Sequence, residues 1–184
     1  MGVAAAESAA AAPTGPDRSA SPTTIADPTT GPTSKPSPPT RVDIDALGVT
    51  APVVPVGVEG DGLMQIPEDV ATVGWYRFGP APGADAGSAV ITGHVNDRDQ
   101  GLGVFARIGE LAIDDTIRVS RSDGTEVGYR VIAREQWTKD RVPLTRLFAR
   151  DGAPRLVLIT CGGVFDRDAG NYQDNIAITA VPTG

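Results

Sequence analysis

From Arg41 onward the chain is built of short apolar runs separated by glycine, proline and polar clusters. Val42-Asp43-Ile44 alternates, and so do Thr116-Ile117-Arg118-Val119-Ser120 and Val127-Gly128-Tyr129-Arg130-Val131. Alternation puts one face of a strand inward. Ser122-Asp123-Gly124-Thr125 lies between the last two runs and predicts a hairpin turn. Residues 88–92 and 156–160 are continuous apolar runs, aliphatic and β-branched and too short for a helix, which predicts buried strands. Ala51-Pro52-Val53-Val54-Pro55-Val56 is extended, but its prolines restrict it to an edge or a bend. A short strand is expected over 63–67 after the Gly60-Asp61-Gly62 turn, and a final one over 176–181. Residues 96–103 and 162–173 read as loops. Val104, Phe105, Ile108 and Leu111 have helical spacing, and 144–148 predicts a short helix. Val73-Gly74-Trp75-Tyr76 supplies either core or the wall of a groove. Seven or eight short strands with one or two short helices predict a mainly β fold, a closed barrel or sandwich.

Residues 1–40 have another texture. Eight of the 16 prolines fall there, among Ala, Ser, Thr and Gly. Such a segment buries too little apolar surface to offset its chain entropy. It reads as a disordered, semi-stiff linker or tail ahead of a folded domain over 41–184. Its opening lacks an early positive charge and Glu7 interrupts its apolar stretch, unlike a signal peptide. No apolar run is long enough to span a membrane as a helix.

Composition narrows the chemistry. Hydrophobic residues make up 40% and aromatics only 5%, so the core is aliphatic. The net charge of −7 and the lack of a basic patch argue against nucleic acid as a partner. There is one cysteine, Cys161, and one histidine, His94. A single Cys excludes an internal disulfide, and no Cys/His cluster exists to hold zinc. Asp97, Asp99, Asp114 and Asp115 have spacing that matches no calcium loop. No cofactor or metal is expected.

Cys161 follows the apolar run Leu156-Val157-Leu158-Ile159-Thr160 and precedes Gly162-Gly163. On this reading it ends its strand, and the glycines let backbone or substrate come close to the sulfur. His94 ends Ser88-Ala89-Val90-Ile91-Thr92-Gly93 in the same way. A lone Cys is commonly a small buried hydrophobe. A Cys and a His at two strand ends are also the minimum parts of a thiol nucleophile with an acid/base partner.

Thr92-Gly93-His94 and Ile159-Thr160-Cys161 resemble the two signature strands of sortases, the cysteine transpeptidases of Gram-positive cell surfaces. Val73-Gly74-Trp75-Tyr76, the string from Thr160 to Arg167, and Tyr172-Gln173-Asp174-Asn175 are similar to the class F branch. The likeness runs from about Arg41 to Val181. It implies a closed eight-stranded β-barrel with His and Cys on neighbouring elements. It also implies cleavage of a Leu-Pro-x-Thr-Gly sorting signal between Thr and Gly, through an acyl-thioester on Cys161. His94 then serves as general acid and afterwards base. The partners implied are surface proteins bearing that signal and an amine of a peptidoglycan precursor. The implied setting is extracytoplasmic, at the cell surface, for a monomer; the family's usual membrane anchor is not visible in this sequence.

The third role is less directly assigned. The better-known sortases stabilise the oxyanion with an arginine about 13 or 14 positions after the Cys, where this chain has Asp174 and Asn175. Arg167, in the intervening stretch, is the preferred substitute, with the Asn175 amide as alternative and Arg141 and Arg146 more distant. Thr160 is expected to shape the site without moving protons. A secreted β-barrel that binds a peptide without catalysis is the competing function. Another cell-wall transpeptidase, the L,D-type, places its His and Cys close together in sequence, unlike here. A redox-sensing thiol would need a resolving Cys.

Overall fold

The computed structural model describes residues 36–60, 63–166 and 171–184. Among them, eight strands close a barrel in the order β1-β2-β3-β4-β9-β10-β8-β7. These are β1 (Pro39–Ile44), β2 (Val49–Val56), β3 (Val73–Tyr76), β4 (Ser88–Thr92), β7 (Thr116–Arg121), β8 (Glu126–Thr138), β9 (Arg155–Asp166) and β10 (Asn171–Pro182). A small ribbon, β5 (Asn96–Asp97) with β6 (Gly101–Leu102), stands outside the barrel. Helix is limited to α1 (Leu144–Leu147) and single 3-10 turns at Asp45–Leu47, Ile108–Glu110 and Lys139–Arg141. The mainly β, closed eight-stranded architecture expected from the sequence is the one observed. The first strand begins at Pro39, and Ser122 donates its N–H to the Pro38 carbonyl at 2.9 Å.

Alternation sorts the side chains into two layers. Val42, Ile44, Ile91, Ile117, Val119, Tyr129, Leu156, Leu158 and Ile178 meet inside the barrel. Phe105, Ile108 and Leu111, at the predicted helical spacing, plug it from the β6–β7 connection. Burying each large aliphatic side chain contributes about 1.5–3 kcal/mol. A second apolar cluster lies on the outer face, built on Val90, Leu147, Val157 and Ala177. Val90, Val157 and Ala177 alternate with the interior residues Ile91, Leu158 and Ile178 of the same strands, and Leu147 of α1 covers them.

The prolines of β2 show why a barrel strand tolerates them. Residues 49–52 pair with β1, and residues 53–56 pair with β3. Each half therefore has one partner strand, and the missing N–H of Pro52 or Pro55 can face the unpaired side. Thus β2 lies within the closed barrel, while each half keeps the character of an edge.

Two expectations are corrected. Residues 63–67 form no strand; one bridge, Val58 with Met64, and the bond from Gln65 N–H to the Gly57 carbonyl hold them against the end of β2. Residues 162–166 and 171–173, read as loop, instead extend β9 and β10 as a paired ribbon. Strand β8 also runs on to Thr138, because β10 pairs with it as far as Asp174.

Candidate active site

The site begins with a register. Strands β4 and β9 are parallel, with Ser88 beside Arg155 and so on to Thr92 beside Ile159. The same offset separates His94 from Cys161. The pairing persists beyond the last strand residue of β4: Gly93 donates its N–H to the Ile159 carbonyl at 3.2 Å. The buried Thr160 hydroxyl donates to the Gly93 carbonyl at 2.8 Å. Continued by one more position, this register matches His94 with Cys161.

Alternation then decides which face they share. Leu156 and Leu158 belong to the interior cluster, and Val157 and Ile159 to the outer one. By the same alternation Thr160 faces inward and Cys161 outward. In β4 Ile91 is interior and Val90 exterior, so Gly93 is inward and His94 outward. A Cβ on Gly93 would press on the core residues Phe105 and Val73. His94 and Cys161 are both half-buried. The outer layer beside them is apolar, with Ile159, Trp137, Tyr76 and Met64 packed against the second cluster. Of the aromatic pair in β3, Trp75 is core, its Nε1–H donating to the Pro80 carbonyl at 3.1 Å, and Tyr76 joins this outer layer.

Cys161 does not end its strand, as the sequence reading had it. Only β4 stops there; β9 continues, paired with β10. Of the two reasons for glycine after it, close approach of packing and backbone is the one seen here. A Cβ on Gly162 would lie 2.6 Å from Ile176 Cδ1. Gly163 has φ 77° at a bulge, where it and Val164 lie opposite Gln173. A left-handed residue at such a bulge is best met by glycine.

Of the candidate oxyanion donors, Asn175 pairs directly with Cys161 across β9 and β10 and is half-buried. Its neighbour Asp174 pairs with Gly162, and its carboxylate accepts from Gln136 Nε2 at 2.5 Å. Arg167 lies outside the described residues. Arg146 is committed elsewhere: it bonds Glu135 at 2.9 Å and sits 5.4 Å over the Trp137 ring. Trp137 pairs with Asn175 from the other side, so Arg146 is separated from Cys161 by a strand. Arg141 is exposed in the 3-10 turn after β8.

The loop after His94 contributes contacts that the sequence reading missed. Gly103 donates its N–H to the Val95 carbonyl at 2.8 Å, and Phe105 donates to the His94 carbonyl at 3.1 Å. A Cβ on Gly103 would collide with the His94 carbonyl. Pro67, in the β2–β3 connection, has its carbonyl oxygen 2.8 Å from His94 Nε2. Asp97 adds a negative charge near His94. Its carboxyl is held below the usual range by the backbone N–H groups of Asp99 and Gln100. Among the described residues no three His, Cys, Asp or Glu side chains gather as a metal site, and no helix is long and apolar enough to cross a membrane.

The family model for the sortase domain matches residues 42–183. The chain belongs to the sortase family. Solved sortases share its fold. Against sortase C1 of Streptococcus agalactiae the TM-score is 0.60 at 16% identity, covering 78% of this chain and 66% of that one. Against sortase A of Corynebacterium diphtheriae it is 0.58 at 16% identity, covering 82% and 62%. Against sortase C-1 of Actinomyces oris it is 0.58 at 20% identity, covering 78% and 73%. This sortase thus spans less than two thirds of the first two of those chains. At such identities the likeness speaks for the fold alone. No curated protein matches the sequence.

Proposed function

We propose that this chain is a class F-type sortase transpeptidase acting at the cell surface. It cleaves a Leu-Pro-x-Thr-Gly-like signal between Thr and Gly and passes the acyl group to a cell-wall amine. The observation that supports this reading is the β4–β9 register, whose continuation past Thr92 and Ile159 matches His94 with Cys161, next to an outer apolar layer. The Cys161 thiolate attacks the Thr carbonyl carbon, and the carbonyl oxygen takes up the negative charge. The C–N bond breaks, and the glycine amine leaves with a proton from His94. An incoming amine attacks the thioester and gives His94 a proton, and the S–C bond breaks to restore the thiolate. Arg167 is the first candidate to stabilise the oxyanion, with the Asn175 amide, opposite Cys161, as the alternative. Residues 1–40 act as a spacer ahead of the catalytic domain.

Intact-mass spectrometry of the full chain tests this. With a Leu-Pro-Ala-Thr-Gly peptide the protein gains the mass of the acyl fragment ending at Thr. A glycine-based amine clears the adduct. Loss of the oxyanion donor lowers the rate by roughly 10²–10³-fold, so Arg167→Ala and Asn175→Ala identify it. Peptide binding without an adduct, across a panel of variant signals, would replace this reading with a non-catalytic peptide-binding barrel.

A further inference from the structure

The His94 ring is held by a group that has no proton to exchange. Its Nε2 lies 2.8 Å from the Pro67 carbonyl oxygen. A carbonyl oxygen only accepts. The contact is a hydrogen bond when Nε2 carries hydrogen, as in the neutral Nε2–H tautomer or the imidazolium, and a repulsion between lone pairs in the other tautomer. The bond made by one ring nitrogen fixes the protonation of the second.

The segment that carries this carbonyl is fastened on three sides. The Pro67 ring packs on Gly74, where a Cβ would fall 3.1 Å from Pro67 Cδ. Upstream, the Gln65 side chain accepts from Gly57 N–H at 2.8 Å. Downstream, the Gln100 amide uses both its ends: Nε2 donates to the Glu68 carbonyl at 2.9 Å, and Oε1 accepts from Val70 N–H at 3.2 Å. Gln100 is itself set by Asp97, which accepts its N–H at 3.1 Å. Asp97 and Gln100 stand in the loop that leaves His94. The ring and the carbonyl are therefore tied together twice, once directly and once through Gln100.

We propose that the Pro67 carbonyl positions His94, locking the neutral ring as Nε2–H and leaving proton exchange to Nδ1 alone. This rests on the reading that His94 moves protons for Cys161. Nδ1 takes the thiol proton, gives it to the departing glycine amine, and takes one from the incoming amine as the thioester opens. Nε2 keeps its hydrogen throughout. A backbone carbonyl thus fills the orienting place that a carboxylate holds in other nucleophile–histidine pairs. Met64 belongs to the same strap and packs on the outer apolar cluster.

The chain has one histidine and one cysteine, so the test is residue-specific. A long-range ¹H–¹⁵N spectrum of the full chain, above the pH at which the ring is neutral, is expected to show a protonated Nε2 and a bare Nδ1. The reverse pattern, or the mixture that a free imidazole shows, would overturn the proposal whatever any variant does. An ester in place of the Pro67–Glu68 amide, made with the α-hydroxy analogue of glutamate, weakens the carbonyl as acceptor. The tautomers are then expected to mix and transfer to slow by roughly 10–100-fold, the usual scale for losing a group that orients a working histidine. Gln100→Ala is expected to act in the same direction to a smaller extent. An unchanged tautomer and rate in a folded ester variant would also overturn it. A locked Nε2–H ring in a chain that transfers no peptide leaves this inference standing and removes the transpeptidase reading. Transfer by a chain whose ring is Nδ1–H does the opposite.

Discussion

Leu158 and Ile159 are neighbours in β9, yet one is sealed inside the barrel and the other lines the apolar layer next to Cys161. The same division runs along β4, where Ile91 points to the core and Val90 to the outer cluster. A closed barrel needs only one face of each strand for its core. The other face is free to carry the proposed chemistry on a rigid support, with Cys161 on β9 and His94 two residues past the end of β4. The lesson is that the core and the proposed site are separated by a single residue of alternation, not by distance along the chain.

The largest effect expected from breaking this division is on chemistry. Cys161→Ala should lower thioester formation and transfer to background, at least about 10³-fold, while the thermal midpoint moves little, since the side chain is half-buried on the outer face. A Cys161→Ala protein that unfolds with the activity would mean that the sulfur is core after all. The converse variant is Leu158→Ala. It should cost about 2–5 kcal/mol in denaturant unfolding, because Leu158 is fully buried in the interior cluster. The fraction that remains folded should still form the thioester. A smaller loss, under about 1 kcal/mol, would contradict the assignment of the inner face as the seat of stability.

Thr160 sharpens the comparison because it is an inward residue that serves the outward face. Its hydroxyl donates to the Gly93 carbonyl at 2.8 Å and is the last tie between the His94 and Cys161 strands. Thr160→Val keeps the shape and removes the donor. About 1–3 kcal/mol of stability should be lost, the cost of leaving the buried carbonyl without that partner. Transfer should fall more than the stability loss alone accounts for, with kcat changing and KM held. A rate that tracks the folded fraction alone would confine Thr160 to a structural role.

What the sequence made legible follows from the same alternation. The runs around Leu158, Ile91 and Ile178 announced buried strands because periodicity reads the core directly. His94 and Cys161 stood out as the only residues of their kinds, each next to such a run. The extension of β9 past Cys161 was hidden because Gly162-Gly163 reads as a turn. Here the glycines instead meet Ile176 and form a bulge that keeps the ladder going. The far end of β8 was hidden because Arg134-Glu135-Gln136 is polar. Pairing with β10 makes it a strand in spite of that. The Pro67 carbonyl was illegible in principle. A main-chain acceptor leaves no mark on residue type, and only the folded backbone brings it to the His94 ring.

The smallest effect belongs to a region with no part in either face, the turn between β7 and β8. The Asp123 carboxylate accepts from the Thr125 hydroxyl and from Thr125 N–H at 2.9 Å. These bonds lower its pKa to about 2. A depressed carboxylate pKa means that the fold favours the ionised form, so its contribution is complete above the ordinary range near 4 and disappears as the pH falls through about 2. The thermal midpoints of the wild type and Asp123→Ala should therefore differ most above about pH 5 and converge on acidification. Taking the difference between the two proteins removes the other carboxylates whose pKa is also lowered, Asp45, Asp69 and Glu110 among them. A gap that stays constant down to the lowest pH would show that the turn does not depend on the charge of Asp123. Transfer at neutral pH should be the same in both proteins, because the turn joins two strands whose pairing, unlike the β4–β9 register, does not touch His94 or Cys161.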